Sequence, residues 1–208
     1  MSDKNDKRPY RKKRRAELEA ETRRRITESA VELHGTVGPA HTSMSAVAER
    51  AGVRRSTLYR HFPDEATLFD ACSSHWNAAN PPPNIEEWAA IGNPDERLRS
   101  ALTELYAYFR RTERMMGNLI RDEATNENVR RHFTAFHAYM DAARDVLMAG
   151  RRERGAARGR VRAAIGHALA FTTWRSLVRE QGLGNAQAVE LMCALVADAG
   201  ARRTAAAA

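Results

Sequence analysis

Apolar residues recur at spacings of three and four along nearly the whole chain, Ala is abundant, and no run of alternating β-branched residues appears. Such spacing gathers apolar side chains on one face of a helix, whereas a half-buried strand needs a period of two. The pattern therefore predicts an all-α fold of about nine helices. The 208 residues suffice for one or two domains with proper cores. With 43% apolar and 29% charged residues, the composition is neither that of a disordered chain nor that of a membrane-embedded one.

Glycine and proline punctuate the pattern. Leu18, Thr22, Ile26, Ala30 and Leu33 form one stripe over 15–34, closed by Gly35 and Gly38. Ser43 caps a short helix to Ala51 whose inward residues are Met44, Val47, Ala48 and Ala51. A third helix carries Leu58 and Phe62 and ends at Pro63, and Asp64 caps a fourth through Leu68, Phe69, Cys72 and Trp76. That helix must stop before Pro81-Pro82-Pro83, because consecutive prolines cannot donate helical hydrogen bonds. Beyond this seam the spacing predicts a helix from Asn93 through Phe109, a shorter one around Met115 to Ala124, and a long one from about Glu127 to Ala149. A break over Gly150 to Gly159 precedes two last helices, near Val161 to Gln181 and Asn185 to Ala199. Both are apolar over much of their circumference and need partners on more than one side.

The two short helices joined by Gly52-Val53 have the form of a helix-turn-helix. Ala48 and Ala51 let the helices cross closely, Gly52 makes the turn, and Val53 and Leu58 fill the space beneath. The outward arc of the second helix is then Arg55, Ser56, Tyr59 and Arg60, side chains suited to base edges and phosphates in a major groove.

The stretch Thr42-Ser43-Met44-Ser45-Ala46-Val47-Ala48-Glu49-Arg50-Ala51-Gly52-Val53, followed by Ser56-Thr57-Leu58-Tyr59-Arg60-His61-Phe62-Pro63, closely resembles the DNA-binding signature of the TetR family of bacterial transcriptional regulators. The resemblance covers about residues 15–76. It implies a homodimer built mainly from the last two helices, an unknown small-molecule effector bound in the C-terminal part, and repression relieved when the effector binds. By position it gives Ser43 to a phosphate, Ser45, Arg55 and Ser56 to bases, and Thr57, Tyr59 and His61 to the DNA backbone. Two departures stand out. Arg54 occupies a position where a small capping residue is usual, and Glu65 stands where a Lys that meets phosphate is usual.

The formal net charge is +8. Residues 1–25 hold eleven Lys or Arg against five acids, and 151–162 hold six Arg against one Glu, whereas 26–75 hold four Arg against six acids. The charge is therefore outside the helix-turn-helix. Arg11, Lys12, Lys13, Arg14 and Arg15 are expected to meet the DNA backbone as part of a basic flexible arm that lies along or in the minor groove. The expected organisation is this arm over 1–15, a helix-turn-helix DNA-binding domain over 16–80, and an effector-binding and dimerisation domain over 81–208. The candidate effector pocket is lined by Trp88, Tyr106, Phe109, Met115, Phe133, His137, Met140 and Trp174.

Other function classes find less support. The polar, basic start argues against a secretory signal, and the longest apolar run, 191–197, is far short of the roughly 18–20 residues that cross a bilayer, so a cytoplasmic protein without a membrane partner is expected. Cys72 and Cys193 form no metal or disulfide pattern. His137 and Asp141, even with His167, make too thin a ligand set for a metal, and no cofactor motif occurs. His132, His137 and His167 are accompanied by no nucleophile elbow or Gly-rich phosphate loop, so an enzyme is not expected. The alternative is a sequence-independent architectural protein that coats DNA through the arm and the Arg-rich stretch.

Overall fold

The computed structural model describes residues 7–201. Among them are ten α-helices, with a 3₁₀ turn at Pro39–His41, a π-helical turn at Ser176–Glu180, and no strand. The chain divides into two compact units, one of Met1–Pro81 with Gly117–His132 and one of Pro82–Met116 with Phe133–Ala208.

The first unit contains α1 (Lys7–Thr36), α2 (Met44–Arg50), α3 (Arg55–His61) and α4 (Glu65–Ala79). Its core is Ile26, Ala30, Met44, Val47, Ala48, Ala51, Leu58, Phe62, Leu68 and Cys72. Burial pushes the Cys72 thiol up to about 12, so it packs as a small apolar group. The stripe expected on α1 is buried only from Ile26 onward, since Leu18 remains 61% exposed. Every residue from Tyr10 to Glu21 is exposed, so this stretch of α1 projects from the core. The arm expected as flexible is thus helical from Lys7, while residues 1–6 lie outside the described residues.

Two further segments belong to this unit. Helix α6 (Pro94–Asp122) is continuous where two helices were expected, because nothing in its sequence breaks the hydrogen-bonding between Phe109 and Met115. Its end is stitched to the loop after α1: Asn118 Nδ2 donates to His34 O at 2.9 Å, Arg121 Nη2 to Val37 O at 2.8 Å, and Ala40 N to Asp122 Oδ2 at 3.0 Å. Gly38, at φ +97°, allows this approach, since a Cβ there would lie 2.0 Å from Arg121 Nη2. Helix α7 (Glu127–Met148) begins beside α4, where Arg131 Nη2 and His132 Nε2 meet Asp70 Oδ1 at 2.6 and 3.1 Å. Helices α6 and α7 thus each contribute residues to both units.

The second unit holds α5 (Ile85–Ala89), the rest of α6 and α7, α8 (Gly155–Leu169), α9 (Phe171–Arg175) and α10 (Asn185–Gly200), with α8 and α10 packed together. The long helix expected over 161–181 is interrupted at Ala170, whose ψ of 133° is extended, and loosens into the π turn beyond Arg175. The Arg-rich stretch is not a loop throughout, since α8 begins at Gly155. Half its cations are structural. Arg151 is buried and donates to Leu147 O, Pro94 O and Asp95, Arg160 donates to Ala199 O, and Arg162 pairs with Asp145. Buried Arg97 likewise donates to Val146 O and Ala149 O, capping α7.

Candidate nucleic-acid interface

Helix α2 starts where Ser43 Oγ accepts the Ala46 N–H at 3.2 Å and closes with Val53 N donating to Ala48 O at 2.9 Å. Gly52, at φ +63°, makes the left-handed turn that this closure needs. Helix α3 follows without a side-chain cap, as the Arg at position 54 foretold. It is anchored instead from beneath by the fully buried Leu58 and Phe62, and from α1, where Arg23 Nη1 donates to His61 O and the guanidinium lies 4.1 Å from the Phe62 ring centre. Asp64 then accepts the Thr67 N–H at 2.7 Å to start α4, and these hydrogen bonds hold its carboxyl below the usual range. Glu65 stands exposed in the first turn beside it.

The outer surface of α3 is polar and open. Arg55, Ser56, Tyr59 and Arg60 are exposed, Tyr59 by 40%, with the Arg55 guanidinium 5.9 Å from the Tyr59 ring centre. Ser43 and Ser45 are exposed on α2 and its cap, and Thr57 is half-buried. His61 differs from its neighbours. Its Nε2 is buried without a hydrogen-bond partner, and burial, with Arg60 and Arg23 nearby, pushes the ring's pKa down. A neutral, inward-turned ring is a weaker backbone ligand than the exposed arc beside it.

Residues 26–72 match the family model described as "Bacterial regulatory proteins, tetR family". The chain's helix-turn-helix head is therefore similar to the DNA-binding domain of that family. Solved structures share the fold across most of the chain. A TetR-like transcriptional regulator from Rhodococcus sp. RHA1 is 18% identical, with a TM-score of 0.62 over 84% of this chain and 93% of that one. NalD, the secondary repressor of the MexAB-OprM multidrug efflux pump in Pseudomonas aeruginosa, is 21% identical, with a TM-score of 0.58 over 90% and 99%. Thermus thermophilus FadR, a TetR-family repressor in complex with lauroyl-CoA, is 21% identical, with a TM-score of 0.51 over 89% and 98%. No curated protein matches the chain. The chain thus carries a TetR-like helix-turn-helix head within a fold shared with these structures, and no described helix is long and apolar enough to cross a membrane.

The basic extension also takes a definite form. Arg11, Lys12, Lys13, Arg14 and Arg15 are exposed on helical backbone, and only Arg15 forms an ion pair among the described residues, with Glu19. A helix about 10–12 Å across is wider than a minor groove of about 6 Å, so in this form the backbone of residues 10–15 cannot lie inside the groove and only its side chains can reach in.

The effector candidates fall into separate groups within the second unit. Tyr106, Phe109 and Trp174 come together around Phe171, with ring centres 5.4–6.4 Å apart, and all are buried. Tyr106 O–H donates to Ala168 O at 2.9 Å, and burial raises its pKa. Phe133 lies against Phe136 and the exposed His137. Trp88 packs edge-on against Tyr139, while Met115 is buried and Met140 half-buried. The sequence reading missed Glu104, Tyr108 and Ser100, which line α6 near Trp88. A Ser and a Glu on an amphipathic helix that carries many charged residues look like surface residues.

Proposed function

We propose that the protein is an effector-responsive repressor that binds a pseudo-palindromic operator as a homodimer. The exposed arc Arg55, Ser56, Tyr59 and Arg60 on a firmly seated α3 carries this proposal. Ser45, Arg55 and Ser56 hydrogen-bond base edges, and Ser43, Thr57 and Tyr59 with the basic extension hold phosphates. Two such helices about 34–36 Å apart sit in successive major grooves. The dimer is built from α8 and α10. Leu191 and Leu195, 46% and 40% exposed one turn apart on α10, and the exposed Ala156, Gly159 and Ala163 on α8 support this face. The effector binds in the second unit and releases DNA by its higher affinity for the released arrangement.

Selection of bound fragments from random duplex DNA, followed by footprinting, tests this function. A protected palindrome is expected, with the base preference at one of its positions relaxed in Arg55→Ala. Uniform coating of any duplex would replace the regulator with an architectural protein. Sedimentation of Leu191→Glu/Leu195→Glu should give a monomer; a persistent dimer refutes the assigned face.

A further inference from the structure

Ser100, Glu104 and Tyr108 lie four residues apart on one face of α6. The half-buried Glu104 carboxylate receives two neutral donors, Trp88 Nε1–H at 3.1 Å and Ser100 O–H at 3.2 Å. Among the described residues no Lys, Arg or His pairs with it, although Lys and Arg abound elsewhere in the chain. Its surroundings are aromatic. Trp88 is fully buried, Tyr108 nearly so with the Arg111 guanidinium 5.4 Å from its ring centre, and the Trp88 and Tyr139 rings stand 6.5 Å apart. Tyr139 donates to Pro83 O at 3.0 Å; burial, with Tyr108 and Glu104 close by, raises its pKa. A carboxylate served by neutral donors and walled by three rings is an environment for positive charge. A cation gains Coulomb attraction to the oxygens and attraction to the ring faces, and a protonated amine a charge-assisted hydrogen bond besides, whereas an anion is repelled.

We propose that Glu104, Trp88, Tyr108 and Tyr139 recognise an organic cation, a protonated amine or quaternary ammonium on an apolar body, and that the Trp88 indole holds this place until ligand displaces it. The inference rests on the effector-responsive reading and names the chemical class of the effector. Trp88 is suited to yield. It sits on a helix of five residues between Pro81-Pro82-Pro83 and Gly92, and its neutral indole N–H bond to Glu104 gives way to the attraction of a full positive charge.

The test uses two ions of one shape and opposite charge, tetraphenylphosphonium and tetraphenylborate, titrated into the full chain by calorimetry with tryptophan emission recorded in parallel. The phosphonium is expected to bind at least tenfold more tightly than the borate, and to shift an emission component that Trp88→Phe removes. Glu104→Gln should weaken the phosphonium at least tenfold with the melting temperature unchanged. Equal binding of the two ions overturns the proposal without any variant, as does undiminished affinity in folded Glu104→Gln. Operator binding is measured separately. A palindrome released by a neutral or anionic compound, with no phosphonium binding, leaves the regulator standing and removes this inference. Absence of any protected palindrome removes the regulator reading whatever the phosphonium does.

Discussion

Substituting Ala16→Pro should cost as much operator affinity as deleting residues 2–15, although it removes no charge. Proline inside a helix deletes one backbone hydrogen bond and clashes with the carbonyl four residues earlier, costing about 3 kcal/mol or a kink. Here it would detach the segment that carries Arg11 to Arg15 from the part of α1 fixed by Arg23 to the end of α3. From Arg23 to Arg11 a helix advances roughly 18 Å at about 1.5 Å per residue. The cations thus stand at a fixed reach from the reading helix. Arg11, Arg14 and Arg15 share one face, so two or three of them can meet phosphates at once. Each contact steepens the salt dependence by about 0.9, so losing three cuts the slope by about 2.7 per protomer. Between roughly 50 and 200 mM salt, that difference is worth about 40-fold in affinity per protomer. Fluorescence anisotropy on the selected operator across this range measures it. A kinked variant with wild-type slope, beside a deletion with a reduced one, would show that charge without helical continuity suffices, and the reasoning would fail.

Acid should destabilise the head through His34. Its ring is buried, and burial, partly offset by the Asp122 charge, lowers its pKa from 6.5 to about 4. Between those values the unfolded chain binds more protons than the folded one. Stability is therefore full above 6.5 and falls as pH drops toward 4, by about 3 kcal/mol in all and about 2 by pH 5. Urea denaturation at pH 7.5 and 5 should show this loss, and His34→Gln should flatten it; parallel profiles refute the assignment. Leu58→Ala should destabilise the head by about 2–5 kcal/mol in thermal melts, because it empties a fully buried site under α3. Arg55→Ala should relax base preference at one operator position by about 1–3 kcal/mol in competition binding, with the preferences elsewhere unchanged.

The head was legible because its information is local. Ser43, Gly52, Pro63 and Asp64 mark four helix boundaries within 22 residues, and the apolar residues between them, Met44, Val47, Leu58 and Phe62, can be buried on only one side. The extension was misread because a run of Lys and Arg has the same composition whether it is coil or helix, and the Leu18 position fits a stripe that nothing in the first unit covers. Membership of Asn118, Arg121 and Asp122 in the head was invisible for another reason. Their partners His34, Val37 and Ala40 lie more than 80 residues away, beyond any periodic pattern. Glu104 escaped notice because its meaning depends on Trp88, on a different helix.

Those long-range bonds also decide how an effector at Glu104 would be felt by the head. Helix α6 is continuous from Glu104 to Asp122, five turns without a break, so the carboxylate proposed to meet the ligand and the one that accepts the Ala40 N–H lie on one helix. Burial opposes ionisation of Asp122, but the Arg121 hydrogen bond, the Ala40 N–H, and the Arg121 and His41 charges outweigh it and hold its pKa below the ordinary value. It therefore remains an anionic acceptor throughout the neutral range. Asp122→Ala strips Ala40 of its acceptor and Arg121 of its partner, at a cost of about 1–3 kcal/mol. If α6 carries the signal, this variant should still bind operator and still bind phosphonium, while the factor by which one weakens the other shrinks. Coupling of this kind is typically about 1–3 kcal/mol and reciprocal, so measuring either ligand's affinity with and without the other gives the same number. An Asp122→Ala protein that folds, binds both and keeps the full factor would show that the signal passes through α4 or α7 instead.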